Sequence, residues 1–68
     1  MKILVGYKTN NEQTRVFRII KDNGDGTYQA CSFMVMDRLD GTKYLSEGIT
    51  KKRSLHSIRE EDIGDVGL

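Results

Sequence analysis

Five turn-forming residues, Asp22-Asn23-Gly24-Asp25-Gly26, stand between two runs of β-branched and aromatic residues. Asn-Gly and Asp-Gly supply the positive φ values that tight hairpin loops require. Before the turn runs Thr14-Arg15-Val16-Phe17-Arg18-Ile19-Ile20-Lys21; after it runs Thr27-Tyr28-Gln29-Ala30-Cys31-Ser32-Phe33-Met34-Val35-Met36. Both runs have strand composition. A hairpin this early in a short chain points to a small all-β domain.

The segment 2–8 alternates, with Ile3, Val5 and Tyr7 on one side, as a strand with one buried face does. Residues 9–13 are polar and read as a loop. Along the second strand Phe17 and Ile19 share a face with Arg15 and Lys21, so a β-bulge near Val16-Phe17 is expected to turn the apolar residues inward. The third strand is long enough to bend and serve two sheets. Asp40-Gly41 marks a second hairpin, with residues 42–49 returning as a fourth strand that Gly48 interrupts. In the last third, residues 50–57 read as a loop and a short strand. Ser57-Ile58-Arg59-Glu60 has the form of a capping box, which predicts a one-turn helix over 58–63 ending at Gly64. Asp65-Val66-Gly67-Leu68 closes the chain, either frayed or with Val66 packed.

Five short strands, tight turns and a terminal helical turn resemble the SH3-like small barrel in pattern. The expectation is therefore a single domain over residues 1–68: a five-stranded SH3-like barrel, or a compact two-sheet β domain, with a short C-terminal helical turn. An α+β arrangement of similar size fits nearly as well. The resemblance stops at the fold, because the chain has no ALYDY-like segment, no proline-binding tryptophan and no aromatic cage. It carries no function with it.

Chain length limits stability: a domain of 68 residues buries only roughly 60% of its extended surface. A net charge of +1 predicts neither a strong nucleic-acid field nor an acidic mimic of nucleic acid. The lone Cys31 has no intramolecular disulfide partner and lies in the most apolar stretch, as a buried, reduced thiol would. No apolar run approaches the roughly 20 residues of a membrane span. These features point to a cytoplasmic chain that does not enter a membrane.

The motifs that suggest chemistry fail on their details. Aligning Gly26 with the glycine of a calcium loop puts Lys21 at the first ligand position and Ser32 where glutamate belongs. His56 has Ser57 beside it, but adjacent strand residues face opposite ways and no nucleophile elbow exists. One cysteine and one histidine fall short of a zinc site. No cofactor, metal or catalytic residue is assigned, and the chain is expected not to be an enzyme.

Two binding readings remain. Phe33-Met34-Val35-Met36 is apolar on both faces, which either a bent, fully covered strand or an exposed strip explains. Methionine adapts its shape and is over-used on promiscuous surfaces. The first reading is a module for a protein partner of unknown identity. Phe33, Met34 and Met36 form its contact strip, Phe33 and Met34 are the anchors, and Arg38 and Tyr44 form the rim. The second is nucleic-acid binding through Lys43, Lys51, Lys52 and Arg53. A monomer or weak homodimer is expected in either case. Small stand-alone chains of this kind are frequent in phages and other mobile elements, where they bind and redirect host proteins.

Overall fold

The computed structural model describes residues 1–66. Gly67 and Leu68, part of the closing segment, lie outside the described residues. The fold is all-β, with seven strands in two antiparallel sheets: β1 (Lys2–Asn10), β2 (Gln13–Asp22), β3 (Thr27–Cys31), β4 (Phe33–Asp37), β5 (Lys43–Glu47), β6 (Lys51–Ser54) and β7 (His56–Asp62). The larger sheet has the order β6-β3-β2-β1-β7, and β4 and β5 form the smaller one.

Both hairpins marked by Asp-Gly form where the sequence places them, β2–β3 and β4–β5. One local device recurs at the turns. An aspartate Oδ1 accepts the backbone N–H two residues on, at Asp22–Gly24 (2.8 Å), Asp25–Thr27 (3.0 Å), Asp40–Thr42 (3.0 Å) and Asp62–Gly64 (2.9 Å). At the two Asp-Gly-Thr triplets the threonine hydroxyl donates to the same oxygen. Such Asx turns preform the reversal before any strand pairs. The β1–β2 connection is tighter than the predicted loop. Asn11 (φ 50°) and Glu12 (φ 66°) form a two-residue turn with both residues left-handed, as a type I′ hairpin requires.

These turn hydrogen bonds favour the ionised carboxylate, and hold Asp25, Asp40 and Asp62 below their ordinary value of 3.8. Thr27 and Thr42 hydroxyls are the main cause for Asp25 and Asp40, and the Gly64 amide for Asp62. A carboxylate depressed by folding contributes stability above its unfolded pKa and loses it as pH falls through the folded value. The urea midpoint is therefore expected to fall as pH drops below 3.8. In Asp25→Asn/Asp40→Asn, which keeps the acceptor oxygens, the acid limb flattens. An acid limb as steep in that variant as in the native chain would contradict this assignment.

Three features differ from expectation. No closed barrel forms, because β6 and β7 do not pair with each other. The sheet nevertheless curls strongly, since its two edge strands are separated by the single residue Leu55. The bulge in β2 lies between Ile19 and Lys21, not near Val16-Phe17. Phe17 and Ile19 already share a face, so the bulge is needed only after them, where it pushes out Ile20, 51% exposed. Finally, the predicted C-terminal helical turn is absent. Residues 56–62 are strand β7, paired to β1 from Lys2↔Asp62 to Tyr7↔His56. A one-turn helix is marginal in water, whereas β1 offers an unpaired ladder edge. Ser57 sits at φ 54° in a register break instead of capping a helix.

Register divides the curled sheet into two faces. On the concave side Phe17, Ile19 and Ala30 form a buried cluster, with Tyr28 and Leu55 packed against it. On the other side Ile3, Val5 and Cys31 are buried. The β4–β5 hairpin covers that second side. Ser32 breaks the long third strand, so its second half leaves the large sheet, as a strand serving two sheets does. Glu47 at the end of β5 binds Arg18 at 2.6 Å and accepts from the Cys31 thiol at 3.3 Å. At the far end Gly41, Thr42 and Lys43 line a cleft with Met1 and Val66. The hairpin is thus tied to that side at its base, and its turn borders a cleft beside Met1. The radius of gyration is 12.8 Å, against about 11 Å for a compact chain of this length, so each core is thin.

Candidate interaction surfaces

Pairing in the hairpin, Met34↔Ser46, Val35↔Leu45 and Met36↔Tyr44, places Met34, Met36 and Tyr44 on one face. Phe33, Val35, Leu45 and Glu47 are on the other. Glu47 makes its contacts with Arg18 and Cys31 of the large sheet, so the Glu47 end of its face is covered, while Val35 farther along is 37% exposed and Met34 borders a cleft with Thr14 and Val16. Met34 is 65% and Met36 37% exposed. The Arg38 guanidinium lies 4.9 Å from the Tyr44 ring centroid and extends the patch. Four of the five predicted interface residues thus share one surface. Phe33 is half-buried on the reverse side, where it belongs to the support of the hairpin.

The four basic residues are not assembled. Lys43 is on β5 and pairs with Asp37 at 2.6 Å, whereas Lys51, Lys52 and Arg53 are on the edge strand of the other sheet. Strand alternation sends Lys52 to the side opposite Lys51 and Arg53. Arg53 is half-buried: its Nε donates to the Ala30 carbonyl (3.1 Å) and its guanidinium lies 4.4 Å from the Phe17 centroid.

One contact that alternation forbids is present. His56 Nδ1 lies 2.9 Å from Ser57 Oγ, because the left-handed Ser57 backbone returns its side chain to the histidine. The other ring nitrogen meets Thr9 Oγ1 at 3.0 Å, where a triad would require an orienting carboxylate. All three residues are exposed. Cys31 is fully buried. Burial, and then the Glu47 carboxylate, push its thiol above the ordinary value, which disfavours the reactive thiolate. Among the described residues no group of three or more His, Cys, Asp or Glu is placed to hold a metal ion. No described helix is long and apolar enough to cross a membrane.

A surface that strand-by-strand reading of charge does not reveal lies at the open end of the concave face. Lys8, Asn10, Gln13 and Arg15 flank the Asn11-Glu12 turn and, with Phe17 and Arg53, line a cleft of about 360 Å³. Lys8 and Arg15 are seven residues apart in sequence but directly opposed across the hairpin. Reading residues 9–13 as a loop conceals that register; reading Asn11-Glu12 as the turn gives it.

No family model matches this chain, and no curated protein or solved structure matches it.

Proposed function

We propose that the chain is a non-enzymatic binding module that docks on another protein through the outer face of the β4–β5 hairpin. The observation that carries this reading is Met34, 65% exposed on a face it shares with Met36, Tyr44 and Arg38. A flexible apolar centre with an aromatic and arginine rim is the composition of an interface hot spot. The strand order β6-β3-β2-β1-β7 supports an SH3-like meander, with the hairpin as an insertion that carries the docking face. The buried Cys31 thiol suits a reducing compartment such as the cytoplasm.

The test is affinity capture with nuclease-treated lysate, read by mass spectrometry. A protein recovered by the native chain is expected to be lost with Met34→Asp and with Arg38→Glu, while Lys51→Glu/Lys52→Glu retains it. Truncating or charging a hot-spot residue costs about 2 kcal/mol or more of binding, roughly a thirtyfold loss. Both residues are exposed, so the variants should keep the native spectrum. Capture unchanged in folded Met34→Asp, or abolished by the lysine changes alone, sinks this reading.

A further inference from the structure

We propose that the cleft at the open end of the concave face is a binding site for a nucleoside phosphate, free or within a single strand. This site lies on the larger sheet and does not depend on the docking function, although its Arg15 also borders a cleft at the base of the hairpin.

Three cations converge there from three strands. Register puts Lys8 of β1 opposite Arg15 of β2, and Arg53 of β6 reaches the same side from across Tyr28. Among the described residues no carboxylate lines the cleft. The ion pairs among the described residues use Met1, Arg18, Lys43 and Arg59, and none of the three cleft cations. Lys8 and Arg15 make no side-chain hydrogen bond with another described residue, which leaves their donors for a ligand. The site therefore presents three cations without an ion-pair partner among the described residues, with Glu12 of the adjoining turn outside its lining, and a ligand that fills it should be an anion.

The form of the cations narrows the anion. The guanidinium groups of Arg15 and Arg53 lie 5.5 and 4.4 Å from the centroid of the Phe17 ring. Arg53 is further fixed through the Ala30 carbonyl and, at 3.3 Å, the Ile49 carbonyl, which leaves part of its fork unused. Guanidinium forks held in place in this way match the oxygens of a phosphate with little ordering left to do. Beside them stand the amides of Asn10, Asn11 and Gln13, which offer donors and acceptors to sugar hydroxyls and base edges. The cleft volume, about 360 Å³, is at the small end of ligand sites and suits one nucleotide. Phe17 is 3% exposed, so its ring is the floor beneath the arginines and leaves no face for a base to stack on.

The experiment is a titration of the isotope-labelled protein at low salt, followed by amide NMR, with AMP, a short oligothymidylate and sodium sulfate in separate arms. Saturable shifts are expected at Lys8, residues 10–13, Arg15 and Phe17 with a nucleotide ligand, and smaller ones with sulfate. Losing a charged hydrogen bond should weaken binding about tenfold in Lys8→Ala and in Arg15→Ala, whereas Met36→Asp, on the hairpin and away from both clefts that Arg15 lines, should bind as the native chain does. Tighter binding of the oligonucleotide than of AMP, weakening steeply with salt, identifies a strand as the source; AMP alone identifies a free nucleotide. The proposal is overturned if neither ligand gives saturable shifts up to about 10 mM. It is equally overturned if sulfate matches them, or if folded Lys8→Ala and Arg15→Ala bind unchanged.

Discussion

Phe17→Ala is expected to leave most of the chain unfolded at room temperature. Phe17 is 3% exposed and is the largest of the three buried hydrophobic side chains of the concave cluster among the described residues, the others being Ile19 and Ala30. Truncating a buried phenylalanine costs about 3–5 kcal/mol, through lost transfer energy and the cavity left behind. A single core in a domain of this size supplies rarely more than about 3–5 kcal/mol, so one substitution removes what holds the fold. The two arginines over the ring add to the loss, since each cation–π contact contributes about 0.5–1 kcal/mol at an exposed site. Phe17→Leu separates the terms. It retains most of the volume and should stay folded, with a cost near about 1.5 kcal/mol. Urea denaturation followed by circular dichroism checks both variants. A folded baseline for Phe17→Ala with a near-native midpoint would show that the second core, under the hairpin, carries the domain alone.

That second core explains why the sequence is more legible locally than globally. The Asp-Gly turns sit where composition places them because each is closed by its own aspartate, within two residues. Alternation in β1 is legible for the same reason: Ile3 and Val5 show a period of two without help from distant residues. What could not be read locally is which edge pairs with which. Ser57-Ile58-Arg59-Glu60 satisfies a helix signal, and only the free edge of β1, more than fifty residues away in sequence, draws it into a strand. Ser32 breaks the third strand for a reason that is also non-local, though nearer in sequence. Its carbonyl accepts from the Gly48 N–H (2.8 Å), which closes the base of the hairpin.

The candidate sites divide along the same line. Met34, Met36, Arg38 and Tyr44 lie within one hairpin, so spacing alone groups them once the turn at Asp40-Gly41 is recognised. Lys43, Lys51, Lys52 and Arg53 are grouped by sequence proximity but separated by the change of sheet and by strand alternation. Lys8, Arg15 and Arg53 show the converse. They are scattered over the chain, and an Asn-Glu turn, a strand pairing and a curl of the sheet are all needed to bring them together.

Gly6→Ala tests that curl, and the sign of its effect is the informative part. Glycine inside a strand ordinarily weakens it, so alanine would gain about 0.5–1 kcal/mol at a neutral site. Gly6 is not neutral, because it is buried on the concave side beneath the corner that joins β6 to β7. A Cβ there would lie 2.7 Å from Ile58 Cδ1, 3.0 Å from Leu55 Cβ and 3.1 Å from Leu55 Cδ1. The terminal methyl groups can rotate away, but Leu55 Cβ is fixed to the backbone and moves only with the corner. Overpacking of this kind costs about 1–3 kcal/mol, which outweighs the gain and takes a large share of a small total. Adding Ile58→Val removes the nearest methyl and should recover part of the loss, with a coupling of about 0.5 kcal/mol or more in a double-mutant cycle. Recovery should be incomplete, since the Leu55 Cβ contact remains. A Gly6→Ala chain more stable to urea than the native one would mean that the two sheet edges do not approach closely at Leu55, and the concave face would then be open along its length.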